Sequence, residues 1–155
     1  KGDVDAACVW EPLLTNVRNG TPGGKLLGLD SDTPNFKKFG TMASPDIMII
    51  SRKLVTEQPE LARKLTAALF KGVAYSNANP QDTAETVAHY FGKTPAEVLA
   101  AMKTFKYFGA DNWPEHMKLH SGQMQYLAQW LYDNGKIPSL PDASKWENTR
   151  FIAKP

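Results

Sequence analysis

Apolar positions along the chain fall into two regimes. Up to about residue 51 they come as short runs bounded by polar residues, glycine or proline: Ala6-Ala7-Cys8-Val9-Trp10, Leu26-Leu27-Gly28-Leu29 and Ile47-Met48-Ile49-Ile50. Runs of this length fit short strands, and four successive apolar residues fit a strand buried on both faces. Pro12 closes the first run, because proline cannot donate to a ladder. Between the runs, Leu13, Leu14 and Val17 suggest a short helix ending at Asn19-Gly20. Residues 30–40 are polar and carry a proline, which reads as a surface loop.

Beyond residue 58 the spacing becomes helical. Four helices are announced by a proline in the first turn, where the N–H groups lack intrahelical partners anyway: Pro59, Pro80, Pro95 and Pro114. Thr94 and Glu97 have the spacing of a capping box. Leu61, Leu65, Ala68, Leu69, Gly72 and Val73 form one apolar stripe on the first of these helices. The last runs to Asp133 and should bury Met117, Met124, Leu127, Ala128 and Leu131. The tail from Ile137 carries three prolines and reads as irregular chain with a short helix near 143–147. Strands early and helices late are an odd asymmetry for a complete α/β domain, because two or three strands make a thin sheet.

Composition narrows the classes. With 155 residues, 42% of them hydrophobic and 22% charged, the chain has enough apolar material for a globular core. A net charge of +2 gives no basic surplus that would point to nucleic acid. No apolar run approaches the roughly 20 residues that span a bilayer. The single cysteine, Cys8, permits no internal disulfide, and its apolar neighbours suggest a buried, unreactive thiol. The start at Lys1-Gly2 reads as a mature or truncated chain.

Candidate chemistry is sparse. Glycine-rich phosphate loops and a Gly-x-Ser-x-Gly elbow do not occur. His116 and His120 are four apart and share a helix face. They could hold zinc if a third ligand arrived, but the His-Glu-x-x-His order is lacking, so surface histidines are the simpler reading and no metal or cofactor is expected. Tyr107, Phe108, Trp113, Tyr126, Trp130, Tyr132 and Trp146 could line a cleft, although aromatic residues at helical spacing usually pack helix seams. The Trp10-Glu11 pair and Asp46 remain. An aromatic face with two carboxylates suits a cationic group. The plainer alternative is a core strand with a packing tryptophan, and Asp46 as a turn or cap residue.

The segment Gly2-Asp3-Val4-Asp5-Ala6-Ala7-Cys8-Val9-Trp10-Glu11-Pro12 resembles the G-x-(I/V)-D-A-x-x-V-W-(D/E)-P stretch of periplasmic substrate-binding proteins of ABC importers, in the taurine, aliphatic-sulfonate and nitrate group. The likeness continues through Asp46-Ile47-Met48-Ile49-Ile50-Ser51-Arg52-Lys53-Leu54 and Glu57-Gln58-Pro59-Glu60. It implies a type II periplasmic-binding-protein fold, here a partial chain. Residues 1–45 would end the second lobe and cross over, 46–135 would supply the return strand and helices of the first lobe, and 136–155 the tail. Family members are about twice as long, so the resemblance places a missing N-terminal half, with its anion-binding groups, before Gly2.

The resemblance further implies a solute-binding, non-enzymatic protein of the periplasm, or lipid-anchored outside a Gram-positive cell. Its partners would be a small zwitterionic or sulfonated solute such as taurine, and an ABC permease with its ATPase. Glu11 and Asp46 would receive an ammonium group, Trp10 would pack on the alkyl part, and Met42 and Ser44 would line the cleft edge. Rival readings are the same fold with an aromatic or quaternary-ammonium solute, a metal-dependent hydrolase using His116 and His120, and a helical interaction module. Titration of taurine, an alkyl sulfonate and choline separates the solute options, and bound zinc would mark the enzyme.

Overall fold

A computed structural model of the chain describes residues 3–41 and 46–152. Among the described residues seven α-helices form in chain order: α1 (Leu13–Gly20), α2 (Pro34–Phe39), α3 (Arg52–Glu57), α4 (Pro59–Ala78), α5 (Pro80–Val87), α6 (Pro95–Met102) and α7 (Trp113–Asp133). Short 3-10 turns occupy Asp30–Asp32, Ala88–Phe91 and Ala143–Trp146. Among the described residues there is no strand. The expected α/β, type II periplasmic-binding-protein fold is therefore corrected: the described chain is helical.

The reason lies in what a strand requires. A helix satisfies its own backbone, whereas a strand is stable only with a neighbour to complete its ladder. The three apolar runs find no such neighbour here. Trp10 is 76% exposed, Leu27 86% and Ile49 85%, and all three runs stay irregular. Cys8, expected to be buried, is exposed.

The helices follow local rules closely. Pro34, Pro59, Pro80 and Pro95 each open a helix, and Pro114 sits in the first turn of α7. Thr33 and Ser51 cap α2 and α3 by accepting the Phe36 and Leu54 amides at 3.2 and 3.1 Å. Residues 30–40, expected as a loop, thus hold a capped helix. It ends at Gly40, whose φ of 67° is the left-handed conformation that glycine adopts without steric cost.

The chain divides into two compact units, Lys1–Leu27 with Ser76–Lys106 and Gly28–Tyr75 with Tyr107–Pro155. In the first, α5 packs on α6 around Ala84, Ala88 and Val98, with Val87, Leu99 and Met102 against them. In the second, α2 and the 143–146 turn both pack on α7. The Phe39 ring of α2 packs over Gly122, where a Cβ would lie 3.4 Å from the ring, an ordinary contact. Phe70 of α4 meets Trp113 edge-on at 5.6 Å.

The buried face of α4 is Ala62, Thr66 and Phe70, one position beyond the stripe expected from the leucines. Leu61, Leu65 and Leu69 are instead between 42% and 48% exposed. The buried Thr66 hydroxyl is satisfied by donating to the Ala62 carbonyl at 2.9 Å. At the C-terminal end of the described chain, Phe151 is buried, with the Arg63 and Arg150 guanidinium carbons 5.5 and 4.6 Å from its ring centroid. Arg63 also donates to the Arg150 carbonyl at 3.1 Å, tying the tail to α4.

Candidate functional site

Of the residues singled out from the sequence, those described are each placed within their own unit. Trp10 and Glu11 belong to the first unit and Asp46 to the second. Met42 and Ser44 lie outside the described residues. Trp10 is 76% exposed, and its carbonyl accepts the Leu14 amide at 3.1 Å. Glu11 is half-buried and accepts the Thr15 amide at 3.2 Å, so one carboxylate oxygen serves the start of α1. Asp46 is exposed. The Tyr107 phenol is held above its ordinary pKa, first by partial burial and then by the negative charge of Asp46.

His116 and His120 sit one turn apart on α7. The Phe108 ring stacks on His116 with centroids 3.5 Å apart. The Nδ1 atoms of both histidines are buried without a hydrogen-bond partner among the described residues. Burial lowers the His120 pKa, because desolvation penalises the imidazolium. Among the described residues no group of three or more His, Cys, Asp or Glu gathers that could hold a metal ion.

The concave feature with the richest chemistry lies elsewhere in the second unit. A recess of about 540 Å³ opens between α7 and the segment after it, Leu140 to Glu147. Lys118, Ser121 and Gln125 follow one another at i, i+3 and i+7, so a single face of α7 supplies one wall. Asp142, Ser144 and Glu147 supply the other.

Local bonds fix the two walls against each other. The Gln125 side-chain oxygen accepts the Ala143 amide at 2.9 Å, and Ala143 is fully buried against the helix. Asp142 caps the 143–146 turn, accepting from the Ser144 amide at 3.1 Å and the Ser144 hydroxyl at 2.6 Å. Lys145 lies 3.7 Å from the same carboxylate. The Ser144 hydroxyl, then its amide and Lys145, hold the Asp142 carboxyl below the usual carboxylate range. Asp142 is thus committed to its own turn. Lys118 and Glu147 have no ion-pair partner among the described residues. The recess is thus lined by one cation, Lys118, and two carboxylates, Asp142 and Glu147, with Leu140 and Pro141 as apolar lining.

Sequence reasoning did not find this recess. The helical half was readable, since Lys118, Ser121 and Gln125 share a face and Asp142-x-Ser144 is a turn motif. The pairing of Gln125 with Ala143, 18 residues away, is not.

Over 144 residues, 90% of this chain, the sequence is 26% identical to a protein named "Putative binding protein" in Brucella abortus (strain 2308). The same figures hold for likewise named proteins of Brucella suis biovar 1 (strain 1330) and Brucella melitensis biotype 1. The chain spans 43% of the length of these curated relatives, less than half. No family model matches the chain, and no solved structure matches it significantly.

Proposed function

We propose that this chain is part of a solute-binding protein rather than an enzyme. In this reading the whole protein captures a small zwitterionic or sulfonated solute such as taurine outside the cytoplasmic membrane. It then presents the solute to the permease and ATPase of an ABC importer. The similarity to the Brucella proteins, extending over 90% of the chain, carries this reading as far as binding. The solute class rests on the likeness of Gly2 to Pro12 to the taurine and sulfonate group.

Calorimetric titration of taurine, a simple alkyl sulfonate and choline into the full-length protein tests the reading. Saturable one-to-one taurine binding with a dissociation constant of about 1 mM or tighter is expected. Binding of choline alone, or of none of the three, sinks it.

A further inference from the structure

We propose that the leucine row of α4 is a packing surface for the part of the full-length protein that lies outside these 155 residues. The proposal goes beyond solute capture and holds whichever solute the protein takes. Leu61, Leu65, Ala68, Leu69 and Gly72 stand at i, i+4, i+7, i+8 and i+11, so they share one face of the helix. All five are exposed, the three leucines by 42% to 48%. The charged residues Glu60, Arg63, Lys64 and Lys71 fall off this face. α4 is therefore apolar on two adjacent faces. One is already buried, through Ala62, Thr66 and Phe70, and the other meets water. A helix with one partner needs a single apolar stripe, and a wider apolar arc calls for a second partner.

The occupant follows from length and from area. The Brucella relatives match this chain over 90% of its length but over 43% of theirs, so more than half of each relative has no counterpart in it. A second copy of the chain fits less well. From Leu61 to Leu69 the row runs about 12 Å at 1.5 Å per residue. One helix face of that length supplies much less than the roughly 800 Å² that each partner buries in a stable complex. Packing within one polypeptide has no such threshold, because the covalent link keeps the two surfaces at an effective concentration of about millimolar or more. Removing the remaining leucine surface from water then adds to the stability of the whole protein.

Thiol labelling of the full-length protein tests this. Leu65→Cys and Leu69→Cys place a probe in the row, and Lys71→Cys places one on the charged, exposed face of the same helix. The label is a water-soluble maleimide, and mass spectrometry of the digested protein reads each position separately from Cys8, which is exposed. Both row positions should label about tenfold or more slower than Lys71→Cys, since each must wait for local opening, and their rates should not change on dilution. Equal rates at the row and at Lys71→Cys would show the row open to water and overturn the proposal. Slow labelling that speeds up on dilution would assign the cover to a second copy and overturn it too. The two row variants stand in for each other if circular dichroism shows that one has failed to fold. Labelling does not depend on taurine binding, so this proposal and the solute reading fail separately.

Discussion

Glu11 accepts the Thr15 amide at 3.2 Å, and it is also the acid that the sequence marks out for a ligand's ammonium group. Pro12, at the N-cap of α1, has no side-chain bond to offer the helix, so Glu11 takes over that duty from one residue further out. The two roles separate by substitution. Glu11→Gln keeps an oxygen acceptor and should change stability by less than about 0.5 kcal/mol, whereas Glu11→Ala should cost about 1 kcal/mol. Urea unfolding of the two variants checks this. A Glu11→Gln variant as unstable as Glu11→Ala would mean that the charge, not the hydrogen bond, supports α1.

Which face of α4 this chain buries by itself can be decided by a pair of variants. Phe70→Ala removes a buried ring from its contact with Trp113 and should cost about 3 kcal/mol. Leu65→Ala, on the half-exposed leucine row, should cost under about 1 kcal/mol. Thermal or urea denaturation of both reads the result. Equal costs would place the leucine row inside instead.

A pH dependence follows from the start of α6. The Glu97 carboxylate accepts the Thr94 amide and hydroxyl, each at 2.8 Å, while the Thr94 hydroxyl oxygen accepts the Glu97 amide at 3.3 Å. The Thr94 amide, then its hydroxyl, hold the Glu97 carboxyl below the ordinary glutamate value of 4.5. With the folded pKa below the unfolded one, the unfolded chain binds more protons between the two. The stabilisation is therefore complete above about pH 4.5 and lost as pH falls through the folded value. Glu97→Gln should lower the melting temperature at pH 7, and the difference from the parent should shrink as pH falls below 4.5 and through the folded value. Thr94→Ala should cost about 1 kcal/mol at pH 7. Parallel melting curves at all pH values would refute the linkage.

How far the sequence could be read follows from the range of the forces involved. The proline-led starts of α4, α5, α6 and α7 and the Thr94–Glu97 box were legible because they are settled within one helical turn. Thr33-Pro34 and Gly40 carried the same information for α2, but the polar composition between them masked it. The run Ile47 to Ile50 misled, since an apolar run states only a wish for burial, and whether it becomes a strand depends on a neighbour elsewhere. The α4 stripe was misjudged by one position because leucine's size suggested a core face. The contact of Phe70 with Trp113 instead lies on the row of Ala62, Thr66 and Phe70. Of the recess, the face of α7 was within reach, but not the wall opposite it, because that depends on the Gln125 side chain meeting the Ala143 amide 18 residues away.

The tie between Arg63 and the Arg150 carbonyl, with Phe151 beneath it, closes a loop across 87 positions of the chain. On the ribosome this has a consequence for timing. Phe70 emerges well before its partner Trp113, and Arg63 long before its acceptor, while all of α5 and α6 are made in between. That intervening stretch can reach its own α5–α6 packing first, since those helices are neighbours in sequence. A nascent chain halted near residue 106 should therefore hold one finished unit and one waiting α4. Protease should cut at the waiting helix until Trp113 and Arg150 arrive.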